Sequence, residues 1–180
     1  MLKSLVEKCK ESVLYFIVRK LYINKKTNVE SFTDFLSPSE SYLIIMPRDR
    51  TDFDFALEIV NEFALGKKNL TLLVRDDQVS YLKLKCKLNY ISVDKESFSK
   101  FGLPSEKIKD SLRSKHYNIV IDLNIQEDLF SSSLVSLSEA SYRIGFNKSH
   151  SENFYNLIIR NNQRISEISY RNLLNSLQMF

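Results

Sequence analysis

The chain has 180 residues, of which 43% are hydrophobic and only 3 are glycine and 3 proline. This length and composition suit one globular domain with a sizeable core and exclude a low-complexity or disordered chain. The formal net charge is +4, but residues 1–28 hold seven lysines and arginines against two glutamates, which gives this segment +5 and leaves −1 for the rest. Because nucleic-acid binding needs a basic stripe on the folded body, we expect no nucleic-acid partner.

Residues 1–22 repeat apolar side chains at steps of three and four, with lysines on the opposite face. This pattern predicts a basic amphipathic helix. Two interpretations stay open: the helix lies on an anionic membrane surface, or it packs on the domain or on a partner protein. Residues 23–41 are mostly polar and contain Pro38, which indicates a connector ahead of a single domain over residues 42–180.

From residue 42 onward, strand patterns alternate with helical ones. We predict strands at residues 42–46, 69–74, 88–93, 119–121, 141–146 and 154–159, and helices at residues 51–65, 79–87, 126–140 and 165–180, with a further helix starting near Pro104. This alternation predicts an α/β fold: a three-layer, doubly wound, mostly parallel, Rossmann-like sheet of about six strands. We also expect Thr51 to cap the helix at residues 51–65, and Asn124 to cap the helix at residues 126–140.

Two cysteines, Cys9 and Cys86, lie far apart, and no Cys or His residues have metal-ligand spacing. We therefore predict reduced thiols, no metal site and no cofactor. No stretch approaches the roughly 20 apolar residues of a membrane span, and the apolar run at residues 13–18 is too short for a signal peptide. We expect a cytoplasmic protein. Its basic helix at residues 1–22 can attach it to the surface of the inner membrane as a peripheral membrane protein.

Two parts of the chain carry a family resemblance. They are YLIIMPRDRTDFDFALEIVNEF with KKNLTLLV, and NIVIDLN…SSSLVSLSEASYRIGF. Over about residues 42–146 they resemble the N-terminal domain of glycosyltransferase family 9, the bacterial heptosyltransferase-like enzymes. The resemblance implies the acceptor-side half of a two-domain GT-B fold, whereas the nucleotide-sugar donor would need a second domain. We therefore expect a glycosyltransferase-like domain without independent catalysis, and whether it acts as an enzyme stays open.

The resemblance also implies a site at the carboxyl ends of the strands. It places a base for the acceptor hydroxyl in the loop after the first strand, where the aligned acid is Asp52 or Asp54. Arg48 and Arg50 in the same loop are candidate contacts for a phosphate or carboxylate. Asp122 and Asn124 follow the strand at residues 119–121 and are further candidate ligand contacts. The implied ligand is a lipid-linked or phosphorylated sugar.

Structural interpretations of the same residues stay open. Asp52 and Asp54 can be first-turn acids that complement the helix dipole, and Arg48 and Arg50 can pair with them. The chain would then be a non-catalytic binding or scaffold module, attached to a membrane surface or a partner through residues 1–22. A third interpretation is a flavodoxin-like or response-regulator domain. A phosphoacceptor site requires an aspartate at a strand end beside an acid pair and a lysine; Asp122 with Asp52 can imitate the acids, and Lys148 is the only candidate for the lysine.

Overall fold

The six strands of the described residues form one parallel sheet. The structure is a computed structural model that describes residues 12–20, 36, 40–64, 69–85, 88–160 and 165–179. The strands are β1 (Ser41–Ile45), β2 (Asn69–Arg75), β3 (Asn89–Val93), β4 (Ile119–Asp122), β5 (Tyr142–Phe146) and β6 (Leu157–Ile159). Their order across the sheet is β3-β2-β1-β4-β5-β6, and every pairing is parallel. The predicted Rossmann-like α/β fold is confirmed.

Helices cover both faces of this sheet. They are α1 (residues 12–20 as described), α2 (Arg50–Phe63), α3 (Glu106–Arg113), α4 (Leu129–Leu137) and α5 (Ser166–Gln178). Alternate side chains of each strand point to opposite faces, so β1 sends Tyr42 and Ile44 into one core and Leu43 and Ile45 into the other. The first core is closed by α2 and α5, and the second by α1, α3 and α4. The central strands β1, β2 and β4 can therefore be rich in apolar residues on both faces.

The two expected helix caps were wrong. Helix α2 is capped by Asp49, whose carboxylate accepts hydrogen bonds from the backbone N–H groups of Thr51 at 2.8 Å and Asp52 at 3.3 Å. Helix α4 is capped by Asp128, which accepts from the N–H of Phe130 at 3.2 Å. In both cases an aspartate directly before the helix reaches the free N–H groups of the first turn, so neither Thr51 nor Asn124 is needed as a cap.

The predicted helix at residues 79–87 was also wrong. A short 3₁₀ helix covers Asp76–Tyr81, and the described residues that follow, 82–85, are not helical. Here Leu82 and Leu84 are half-buried, while Lys83 and Lys85 are exposed. Alternation with a period of two suits an extended chain running along the body, because a helix would bring both kinds of side chain to the same face.

The described part of the N-terminal helix packs on the domain. In α1, Val18 is completely buried, and the Tyr15 ring stacks on His150 with 4.1 Å between ring centroids. The Tyr15 hydroxyl also accepts a hydrogen bond from Asn153 Nδ2 at 2.7 Å. Val13 and Phe16 of the same helix are 59% and 65% exposed. The remainder of the predicted helix, residues 1–11 and 21–22, lies outside the described residues, and contact with lipid or a partner stays a prediction.

Gly145 in β5 gives room to the Tyr155 ring. A Cβ atom at this position would lie 2.5 Å from Cε1 of Tyr155, which is itself buried. We therefore expect Gly145→Ala to lower the free energy of unfolding by about 1–3 kcal/mol, as overpacked cores do. Urea denaturation measures this change. Ser141→Ala, an exposed position just before the same strand, is the control, and equal stability of the two variants would contradict the expected clash.

Candidate functional site

The loops after β1 and β4 diverge at the edge of the sheet where the strands end. Strand β1 lies between β2 and β4, so the chain continues to one side after β1 and to the other after β4. This is the topological switch point at which open α/β sheets bind their ligands. Helices α2 and α4 both begin at this edge, each behind its capping aspartate.

Asp122, the last residue of β4, lies in a buried polar network with Asn124, Lys148 and Tyr155, which we call the Asp122 network. One carboxylate oxygen, Oδ2, accepts hydrogen bonds from Lys148 Nζ at 2.9 Å and from the Tyr155 hydroxyl at 2.6 Å. The other, Oδ1, accepts from the backbone N–H of Asn124 at 3.0 Å and from its Nδ2 at 2.7 Å. Asp122 is completely buried, and the Lys148 side chain is 5% exposed. A ligand would have to displace one of these four donors to reach the carboxylate.

Asn124 connects this network to Arg48 in the loop after β1. Its Oδ1 accepts a hydrogen bond from the backbone N–H of Arg48 at 3.0 Å, while Gln78 Nε2 donates to the Arg48 carbonyl at 3.2 Å. Asn124 and Gln78 are both buried. The backbone of Arg48 is thus fixed on both sides by amide side chains, although its own side chain is exposed.

The Arg48 side chain stands where three cavities meet, which together we call the Arg48 cleft. Their volumes are about 200, 340 and 690 Å³. Asn124 lines the two smaller cavities, and Asp128 lines all three. Within the part of the chain that the structure describes, the Arg48 guanidinium forms no ion pair. A charged donor therefore remains available at the centre of the cleft.

Asp52 and Asp54 differ sharply in their surroundings. Asp52 is 7% exposed and lines the 340 Å³ cavity together with Arg48 and Asn124. Among the described residues, no hydrogen bond or ion pair reaches its carboxylate. Asp54 has a side chain that is 63% exposed, and it pairs with Arg50 at 3.1 Å. The Arg50 guanidinium also lies over the Tyr81 ring, 3.8 Å from its centroid.

The structure therefore separates the six predicted site residues into three groups. Arg48, Asp52 and Asn124 surround one cavity. Asp122 lies behind Asn124, inside the Asp122 network, and Arg50 and Asp54 pair with each other on the outer surface of α2.

The sequence pattern did not point to Tyr155, Gln78 or Asp128 as site residues, and it indicated Lys148 only for a response-regulator-like site. In such a site the aspartate must be open to a phosphate donor, whereas Asp122 is completely buried. For Tyr155 the sequence signal is Gly145, since a strand glycine often marks close approach of another group, here the Tyr155 ring.

Two buried tyrosines near the site make stability dependent on alkaline pH. Burial raises the pKa of Tyr155 well above its usual range, and the Asp122 carboxylate raises this pKa further. Burial likewise raises the pKa of Tyr170, whose hydroxyl donates to the Leu123 carbonyl at 2.6 Å. In the unfolded chain both phenols titrate near pH 10. Their contribution to stability is therefore complete below about pH 10 and is lost as the pH rises towards the folded-state pKa values.

We expect the free energy of unfolding to fall above about pH 10 by roughly 1.4 kcal/mol per pH unit for each such tyrosine. Urea denaturation between about pH 8 and 11.5 measures the slope. Tyr170→Phe should make the slope shallower, whereas Tyr90→Phe, at an exposed ring, should leave it unchanged. An identical slope in Tyr170→Phe and the parent protein would contradict this assignment.

The fold and the cleft define the class of protein: a Rossmann-like parallel α/β domain with a polar site at its switch point. A model for a family of unknown function (DUF6913) matches residues 10–180, so the chain belongs to this family. No curated protein and no solved structure was found to match it. In the described ranges, no helix is long and apolar enough to cross a bilayer. Those ranges also contain no group of three or more His, Cys, Asp or Glu residues placed to hold a metal ion.

Proposed function

We propose that the Arg48 cleft binds a phosphorylated sugar and that the chain is a glycosyltransferase-like, acceptor-binding domain. The observation that carries the proposal is Asp52, a residue that is 7% exposed and that borders the same cavity as Arg48. Its carboxylate accepts no hydrogen bond from a described residue, so it remains an acceptor for donor groups of a ligand in the cavity. The hydroxyl groups of a sugar are such donors.

The side chains around the 340 Å³ cavity offer acceptors for hydroxyl groups and one guanidinium for an anionic group. Four acids, Asp49, Asp52, Glu127 and Asp128, line the cavity with Arg48. Asp49 and Asp128 already accept N–H groups at helix starts, so Asp52 and Glu127 remain as acceptors. Ionised carboxylates accept hydrogen bonds and cannot donate them, which matches hydroxyl groups. Arg48 supplies the complementary fork for a phosphate.

In this proposal the residues have distinct roles. Arg48 holds the phosphate, and Asn124 fixes the loop that carries Arg48. Asp52 orients an acceptor hydroxyl and, beside a donor sugar supplied by another domain or chain, can act as its general base. Asp54 and Arg50 have no part in binding, because they pair with each other away from the cavity. The domain by itself binds and does not transfer.

The test compares two acids of helix α2. We expect calorimetric titration with a panel of sugar phosphates to find one that binds, and Asp52→Asn to weaken that binding by roughly tenfold to hundredfold, as expected for lost hydrogen bonds to a charged group. Asp54→Asn is the matched control and should bind like the parent protein. Equal affinities for the two variants, or no binding by any sugar phosphate, would contradict the proposal.

A further inference from the structure

The 200 Å³ cavity of the Arg48 cleft differs in character from the cavity that holds Asp52. Its wall includes Ile45, Leu73 and Val93, which are at most 4% exposed and lie at or near the carboxyl ends of β1, β2 and β3. The rings of Phe98 and Phe130 form another part of this wall, stacked with 4.3 Å between their centroids. We call this cavity the apolar chamber.

The polar side chains of the apolar chamber are mostly engaged with one another. Ser131 accepts a hydrogen bond from Asn124 Nδ2 at 3.2 Å and donates one to Asp128 Oδ2 at 2.7 Å. Arg75 pairs with Asp77 at 3.1 Å. Arg48 lines the chamber as well, and among the described residues it has no carboxylate partner. The chamber thus combines an apolar wall with one cation that is ready to bind an anion.

We propose that the apolar chamber receives a compact apolar group attached to the anion that Arg48 holds. This inference rests on the proposed function, because the same guanidinium binds the anion in both. A volume of about 200 Å³ equals that of roughly seven water molecules at about 30 Å³ each. It accommodates an aromatic ring or a short branched alkyl group, whereas an extended lipid chain is too large for this chamber alone. The ligand class is therefore an aryl or short-alkyl ester of an acidic group such as phosphate.

Phenyl phosphate and inorganic phosphate are the probes that test this inference by calorimetry. Covering one face of a phenyl ring removes apolar surface from water. We therefore expect phenyl phosphate to bind roughly tenfold or more tightly than inorganic phosphate. Val93→Phe fills the chamber and should abolish this preference while leaving sugar-phosphate binding unchanged. Val13→Phe places the same exchange at an exposed position of α1 and should keep the preference.

A second variant changes the chamber in the opposite direction. Phe98→Ala removes one of the two stacked rings, and it should raise the affinity for 1-naphthyl phosphate relative to phenyl phosphate. The Phe98→Ala measurement tests whether the chamber binds the apolar group even if Val93→Phe does not fold. Two results would overturn the inference and leave the sugar-phosphate proposal standing. One is that phenyl phosphate binds no tighter than inorganic phosphate. The other is that Phe98→Ala does not raise the affinity for 1-naphthyl phosphate relative to phenyl phosphate. Failure of every phosphate compound to bind overturns both proposals.

Discussion

Replacing Lys148 by methionine is expected to lower the free energy of unfolding by about 3–5 kcal/mol, the usual loss when one partner of a buried ion pair is removed. The ammonium group lies 2.9 Å from Asp122, and both side chains are almost completely buried. Methionine fills much of the same volume but leaves the Asp122 carboxylate without its counter-ion. Tyr155 and Asn124 would remain as donors, and neither carries a charge.

Urea denaturation at neutral pH measures the loss, and Lys115→Met at an exposed position is the matched control, expected within about 0.5 kcal/mol of the parent protein. The double variant Asp122→Asn with Lys148→Met should lose less than the two single changes together, because no buried charge is left unpaired. A loss below about 1 kcal/mol for Lys148→Met would mean that the ion pair is open to water.

The second large effect concerns binding. Arg48→Ala should weaken sugar-phosphate binding by on the order of hundredfold, since it removes a charged, bidentate donor to the phosphate. The free energy of unfolding should change by less than about 0.5 kcal/mol, because the side chain is exposed and its backbone hydrogen bonds remain. Calorimetric titration and urea denaturation of the same samples measure the two quantities.

Arg50→Ala is the matched control for this variant. It removes the same side chain two residues further on, where the guanidinium pairs with Asp54 and lies on Tyr81. We expect it to bind the sugar phosphate like the parent protein. Equal weakening in Arg48→Ala and Arg50→Ala would show that general positive charge, and not the geometry of the Arg48 cleft, attracts the ligand.

The fold could be predicted from the sequence because its signals are local. The apolar run at residues 119–121, followed by helical spacing and then RIGF, became β4, α4 and β5 within a few residues of the expected bounds. The helix prediction for residues 79–87 was wrong because leucines and lysines alternate there with a period of two, which is typical of an extended chain and gives no apolar helical stripe.

The Asp122 network could not be predicted in the same way. Lys148 and Tyr155 are 26 and 33 residues from Asp122 along the chain. They meet it because β5 pairs with β4 and β6 pairs with β5, so their contact depends on the strand order of the finished sheet. The sequence shows each residue only as an isolated polar side chain near a strand end.

Helical geometry alone indicates that Asp52 and Asp54 lie on different faces of α2. Two positions along a helix turn the side chain by about 200°, so one of these acids had to face away from the core that Phe53, Ala56 and Val60 enter. What the sequence does not contain is the second wall of the cavity, the segment around Asn124, which approaches α2 only in the folded sheet. Asp52 is buried because this segment approaches α2, and the sequence does not show that approach.

The most direct test of the central claim is an amide-resolved NMR titration of the full chain with the sugar phosphate that binds best in calorimetry. If the ligand binds in the Arg48 cleft, the largest chemical-shift changes are expected at the backbone amides of residues 48–52 and 124–128, and the changes along α5 should be small. Largest changes at another surface, such as the groove between β6 and α5 that Arg160 and Asn172 line, or no changes at saturation, would contradict it.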